Sequence, residues 1–264
     1  MTPPDKFNVD RHNTVVPDLP DVSMRLYKNL TAIHALSFDL DDTLYPNSGV
    51  IVAAELAMQQ RLQQLKPELP HNDPQYWWQQ RKLLAAQDAE VRHDVSRWRL
   101  LAVEQGLMAQ GLSSCEAGEI AELALGAFLQ ERTNISVSAE VKQLLAQLAS
   151  RFPLVAITNG NADIQRMGIA PYFQFALRAG PDGRMKPFPD LFQRAAERLG
   201  VHTAQILHIG DHVRSDVLGA LNAGCQAAWL NPASSPQPEL AKPPLVLPHL
   251  ELSDLQQLLA LEPG

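Results

Sequence analysis

The sequence predicts an α/β protein, with a parallel sheet as its core and a helical bundle inserted into it. Short apolar runs ending in polar residues alternate with stretches of helical spacing after residue 138, which is the pattern of βαβ units. Residues 48–132, in contrast, keep helical spacing almost throughout. A third observation places the chemistry: the apolar run Ile33 to Phe38 leads directly into Asp39, Asp41 and Asp42. A buried strand that ends on three carboxylates presents them at the carboxyl edge of a sheet, where open α/β sheets bind ligands.

Along the chain, residues 1–30 read as a disordered extension outside the core. Residues 1–23 in particular are polar, carry several prolines and show neither period, and Met24 is a possible start. Residues 31–47 and 133–264 are expected to form the core domain, and 48–132 the helical cap. Within the cap, Ile51, Glu55, Met58, Leu62 and Leu65 mark a first helix closed by Pro67 and Pro70. Further helices are expected over Pro74 to Asp88 and His93 to Gln110. A fourth starts at a Ser113–Glu116 capping box and carries Ile120, Leu123, Ala124, Ala127 and Phe128 on one stripe.

The core resumes with a helix bearing Val141, Leu144, Leu145 and Leu148, then a strand from Leu154 to Ile157 that ends at Thr158-Asn159-Gly160. Strands follow at Phe173 to Leu177, Ile206 to Ile209 and Ala227 to Leu230. Helices are expected over Asp190 to Leu199, from Ser215 to Gly224, and near Ser253. Three strand ends therefore carry Asp39 and Asp41, Thr158 and Asn159, and Asp211. In a parallel sheet these share one edge.

Composition narrows the function. The 264 residues are 45% hydrophobic with a net charge of −7, and no basic run marks a nucleic-acid or anionic-membrane surface. No apolar run reaches the ~18 residues of a membrane span. Cytoplasmic localisation is expected, with no obligate protein partner in view. The two cysteines, Cys115 and Cys225, lie far apart and without metal-ligand spacing, so they read as buried or idle thiols.

Carboxylates without Cys or His partners favour a hard cation, and Mg²⁺ held by one or two carboxylates and substrate phosphate oxygens is the usual arrangement. Side chains two apart on extended backbone share a face, so Asp39, Asp41 and Thr43 are expected to converge if the strand geometry continues. Lys186 offers a point charge, and Thr158 with the following N–H groups offers donors to phosphate. These parts suit phosphoryl transfer on a small phosphorylated metabolite, with a carboxylate as nucleophile.

Asp39-x-Asp41-x-Thr43, Thr158-Asn159-Gly160, Lys186-Pro187 and Gly210-Asp211 with Asp216 resemble, in order, the four motifs of the haloacid dehalogenase (HAD) superfamily of phosphatases. The resemblance spans residues 31 to 232 and implies a Rossmann-like core, the HAD fold, with a helical cap inserted after the first motif. It implies Asp39 as the phosphate-accepting nucleophile and Asp41 as general acid and base, with Thr158, Asn159 and Lys186 at the phosphate. Mg²⁺ would be held by Asp39, the Asp41 carbonyl and Asp211, with Thr43 and Asp216 supporting them and Asp216 orienting Lys186 or a metal-bound water. His212 stands where close relatives often have a second Asp, which puts that position's role in question.

At finer grain Ala35 to Tyr45, His93 to Arg99, Val155 to Asn161 and Leu177 to Pro181 resemble bacterial phosphatases of flavin biosynthesis that act on FMN or 5-amino-6-(5-phospho-D-ribitylamino)uracil. His93, Arg97 and Trp98 are the cap candidates for substrate contact, with His93 and Arg97 expected on one helix face. The competing reading of that segment is a packed helix with Trp98 in the cap core. Trp77 and Trp78 read as packing, and His71, His202 and His208 as structural or exposed. The same core motifs also fit a nucleotidase or a sugar-phosphate phosphatase. A haloacid dehalogenase needs neither an acid at Asp41 nor a metal.

Overall fold

The computed structural model describes residues 24–231 and 246–264; the expectations for residues 1–23 lie outside them. The sheet has seven strands: β1 Arg25–Leu26, β2 Ala35–Phe38, β3 Leu154–Thr158, β4 Phe175–Arg178, β5 Ile206–Gly210, β6 Gln226–Leu230 and β7 Leu250–Leu252. Their order is β1-β7-β6-β5-β2-β3-β4, parallel except for the β1–β7 pair. Strand β2 is central, with β3 on one side and β5 on the other, so the winding reverses there. Such a switch point opens a crevice at the carboxyl ends of the strands. Phe38 is level with Ala156 and Ile209, which brings the residues after all three strands to one place.

Alternation along the strands divides the core between the two faces. Leu36, Phe38, Leu154, Ala156, Leu207 and Ile209 pack on α5, Ala139–Ala149, through Leu144, Leu145 and Leu148. Ala35, Val155, Ile157 and Ile206 face α6, Asp190–Leu199, through Leu191, Phe192 and Ala195, and α7, Gly219–Asn222, through Ala220. Both faces are covered, which explains why these strands read as largely apolar, interrupted in β2 and β5 by Ser37 and His208, which bond to each other.

The insertion forms α1 Ser48–Leu65, α2 Pro74–Gln87, α3 Val95–Ala109 and α4 Ser114–Arg132. They gather a hydrophobic cluster of their own, with Met58, Leu62, Trp77, Leu107, Ile120 and Phe128 among its members. Glu55, the polar residue in the apolar stripe of α1, accepts from Arg81 and Arg99 at 2.8 Å each, and the Arg99 guanidinium lies 3.6 Å over the Phe128 ring. Of the Ser113 capping box, the Ser113 hydroxyl accepts from the Glu116 N–H, while the Glu116 carboxylate turns to Lys66.

Several boundaries depart from expectation. Residues 24–30 are not all extension: β1 pairs with β7, adding an antiparallel edge. His93 is not in a helix with Arg97. It ends a separate 3₁₀ turn, Ala89–His93, and Asp94 caps α3 by accepting from the N–H groups of Ser96 and Arg97. The segment after β5 begins as a π-helical turn, Val213–Leu218, before α7, and the terminal helix is a 3₁₀ turn, Leu255–Ala260. Among the described residues no helix is long and apolar enough to cross a membrane.

Candidate active site

Asp39 follows β2 directly, and its N–H donates to the Ile209 carbonyl at 2.9 Å, so the ladder with β5 continues one residue past the strand. Regular backbone stops soon after. Leu44 N–H donates to the Leu40 carbonyl at 2.9 Å, and Asp42 takes a positive φ of 57°. This turn breaks the expected convergence. Asp39 and Thr43 face the crevice, and the Thr43 hydroxyl donates to the Asp211 carboxylate at 3.2 Å. The Asp41 carboxylate is held instead beside Gly160, just past β3 at the same edge: Arg132 donates to its two oxygens at 2.5 and 2.8 Å, and the Tyr45 hydroxyl donates to Oδ1.

Lys186 is buried, and its ammonium has three partners, each at 2.7 Å: Asp39, Asp216 and the Ile157 carbonyl. One cation between two buried carboxylates leaves a negative charge in excess. Burial, reinforced by Asp216 and Asp41 and opposed by Lys186, pushes the Asp39 carboxyl up to about 8. Asp216 is held well below the usual carboxylate range because Lys186 and His208 outweigh its burial. Asp216 also accepts from the His212 N–H at 2.9 Å. Gly210 admits this carboxylate, since a Cβ there would lie 2.4 Å from the Asp216 side chain.

Asn159, expected at the phosphate, has its side chain committed to the main chain of Lys186, accepting from the N–H at 2.7 Å and donating to the carbonyl at 2.9 Å. The Thr158 hydroxyl accepts from the Gly160 N–H at 2.9 Å. The Lys186-Pro187 bond is cis.

Carboxylate oxygens of Asp39, Asp211 and Asp216 lie within 4.8 Å of one another. Burial also raises Asp211 above the ordinary carboxylate range. Two carboxyls that resist ionising side by side, and an all-oxygen donor set, fit a hard divalent cation better than they fit each other. Both Asp216 oxygens are engaged, Oδ1 by Lys186 and His208 and Oδ2 by the His212 N–H, whereas Lys186 takes only Oδ1 of Asp39 and Thr43 only Oδ1 of Asp211, so Asp39 and Asp211 each keep an oxygen for such an ion.

A cleft of about 530 Å³ opens beside Lys186 and Asn159. From the insertion it is lined by Arg92 and His93, and from the core by Phe188, His212 and Arg214 among others. The His93 ring stands edge-on to Phe188, 5.1 Å between centroids, and its Nδ1 accepts from the Met185 N–H at 3.2 Å. Of the three cap candidates, His93 reaches the cleft. Arg97 is exposed outside it, and Trp98 packs within the bundle, donating from its indole N–H to the Arg81 carbonyl at 2.9 Å beside Trp78.

Sequence reasoning missed Arg132, Tyr45, Arg92, Phe188 and Arg214. Tyr45 lies in the same short segment as the aspartates and Phe188 two residues past Lys186, so proximity to the motifs was an available signal. Arg132 offered none, being 91 positions from its partner. His208, expected to be structural or exposed, is buried and structural. Its ring bridges the Ser37 hydroxyl, 2.9 Å away, and Asp216, 3.4 Å away, on the buried side of Lys186.

A family model for haloacid dehalogenase-like hydrolases matches residues 33–224. The chain is 42% identical over 238 residues to the 5-amino-6-(5-phospho-D-ribitylamino)uracil phosphatase of Escherichia coli K12, covering 90% of this chain and 100% of that one. It is 33% identical to a phosphoserine phosphatase of Thermus thermophilus over 55% of this chain and 57% of the relative. Among solved structures, a 2-haloacid dehalogenase from Pseudomonas syringae pv. tomato is similar at a TM-score of 0.79 and 37% identity, covering 86% of this chain and 96% of that one.

Proposed function

The chain belongs to the haloacid dehalogenase-like hydrolases, and from that premise we propose that it is a Mg²⁺-dependent phosphomonoesterase working through an aspartyl phosphate on Asp39. The observation that carries this reading is the buried charge arrangement at the switch point. Asp39 and Asp211 stand ready for a cation while Lys186, 2.7 Å from Asp39, supplies a fixed positive charge. Bound there, Mg²⁺ would neutralise the charge on the phosphoryl oxygens.

The residues divide the work as follows. Asp39 attacks phosphorus in line with the ester oxygen, forming the aspartyl phosphate as the P–O bond breaks, and Asp41 gives a proton to the departing alkoxide. Water then attacks phosphorus, Asp41 takes back a proton, and Asp39 leaves as carboxylate. Lys186 offsets the charge on the oxygens throughout, and Thr158 with the N–H groups after it orients them. Asn159 holds Lys186 in place.

The proposed substrate is 5-amino-6-(5-phospho-D-ribitylamino)uracil or a related flavin phosphate such as FMN. The 42% identity to a phosphatase of the former over nearly the whole chain supports this. The cleft also suits it, because Phe188 and His93 offer an aromatic wall and Arg92 and Arg214 offer donors to a polar heterocycle. A dehalogenase would use the same nucleophile, Asp39, to displace halide, but would have no use for the acid at Asp41 or for Asp211 as a metal ligand. The test is phosphate release with Mg²⁺ across flavin, nucleotide and sugar phosphates. The reading expects the flavin-type esters to have the highest kcat/KM, and a nucleotide or sugar phosphate in first place would replace them.

A further inference from the structure

The Asp41 carboxylate is gripped unequally. Oδ1 accepts from Arg132, 2.5 Å away, and from the Tyr45 hydroxyl, whereas Oδ2 accepts from Arg132 alone, 2.8 Å away. The two holders are themselves linked, since the other guanidinium nitrogen of Arg132 donates to the Tyr45 hydroxyl at 3.0 Å. Arg132 and Tyr45 are 1% and 5% exposed, so the grip is shielded from water on the anchor side. On the Oδ2 side stands Gly160, where a Cβ would come within 2.6 Å of that oxygen. The absence of a side chain keeps the Oδ2 face open.

The two holders also occupy special places in the chain. Tyr45 lies three residues before α1, where the chain leaves the sheet, and Arg132 is the last residue of α4, where it returns. Both crossings are thus fastened to the same carboxylate.

We propose that Arg132 and Tyr45 are positioning residues that anchor Asp41 by Oδ1 and leave Oδ2 to exchange the proton with the leaving oxygen. The inference rests on the reading of Asp41 as general acid and base. A short carboxylate free to rotate would spend little time within hydrogen-bond reach of the ester oxygen, and fixing one oxygen removes that freedom. The step balances: the Oδ2 proton passes to the alkoxide as the P–O bond breaks, and the attacking water later returns one.

The experiment measures kcat/KM, which reports steps up to leaving-group departure, for p-nitrophenyl, phenyl and benzyl phosphate with Mg²⁺. These esters are similar in size, and their leaving groups need a proton to increasing degree. Arg132→Gln should lose about 10–100-fold more on benzyl than on p-nitrophenyl phosphate, a part of the 10²–10⁴ that full acid catalysis supplies. Tyr45→Phe should show the same trend at about 3–10-fold, and Arg132→Lys should recover part of the loss. A merely structural role would lower all three esters alike, and equal losses in both variants overturn the proposal. Should Arg132→Gln fail to fold by circular dichroism, Tyr45→Phe decides alone. Asp41→Asn is the reference: if it too leaves the leaving-group dependence unchanged, the acid role itself falls, whereas a steep dependence there and a flat one in the other variants rejects the positioning role only.

Discussion

Asn159 and Lys186 form a two-way pair in which one side-chain amide accepts the Lys186 N–H at 2.7 Å and donates to its carbonyl at 2.9 Å. The amide fixes the backbone from which the ammonium reaches Asp39 and Asp216, each 2.7 Å away. Asn159→Ala should therefore act through Lys186. Since a misplacement of about 1 Å costs on the order of 10²-fold, kcat is expected to fall by about 10–100-fold with a smaller change in KM. A loss confined to KM would instead return Asn159 to direct phosphate contact.

The metal site should bind in competition with a proton, because burial raises the Asp39 carboxyl, to about 8, against the pull of Lys186, and a cation at that carboxyl works in the opposite direction. The rise in melting temperature with Mg²⁺ is expected to grow from about pH 6 to about pH 8 and then level off. Asp39→Asn should remove most of it, and EDTA should stop turnover. A shift independent of pH would mean that the ion binds away from Asp39.

His208 makes a separate contribution to acid sensitivity. Its imidazole is buried against Phe192, and burial pushes it down to about 4, with Lys186 adding to the effect and Asp216 opposing it. The unfolded chain takes up this proton near the ordinary value while the folded protein resists it. Stability is therefore lost as pH falls from about 6.5 towards 4, by about 3 kcal/mol if the whole shift counts. His208→Gln removes the titration, so its denaturant midpoint should fall less than that of the wild type between about pH 7 and pH 5. Asp39 works in the opposite sense over that window but is present in both proteins. Parallel midpoints would show that His208 is not held neutral.

The aromatic wall of the cleft should select the substrate. Phe188→Ala and His93→Ala are expected to lower kcat/KM for FMN about tenfold more than for p-nitrophenyl phosphate, because an aromatic contact is worth about 0.5–1.5 kcal/mol beyond its buried area. Arg97→Ala, outside the cleft, should leave the ratio of the two unchanged. Equal losses on both substrates in the Phe188 and His93 variants would exclude the wall from recognition.

The central strands were legible because burial on both faces leaves an apolar run with a polar end. β1 and β7 were not, since strands of two and three residues are too short to show a period. The helical phase running through His93 hid a break at Asp94, although an Asp three residues before Arg97 is a capping signal that could have been read. Asp39 and Asp211 could be placed from strand ends, and Lys186 from the segment that precedes the helix at Asp190. The direction of Asp41 could not, because the positive φ of Asp42 ends the extended geometry and the Arg132 that receives the carboxylate comes from a distant helix end.

The central claim is that Asp39 carries the phosphoryl group. It is tested most directly by mixing the Mg²⁺-loaded enzyme with radiolabelled 5-amino-6-(5-phospho-D-ribitylamino)uracil, quenching in acid within one turnover and locating the protein-bound label. The account predicts label on the Asp39 peptide of the wild type, and neither label nor phosphate release from Asp39→Asn with an unchanged circular dichroism spectrum. Phosphate release by Asp39→Asn at a near-normal rate would contradict it.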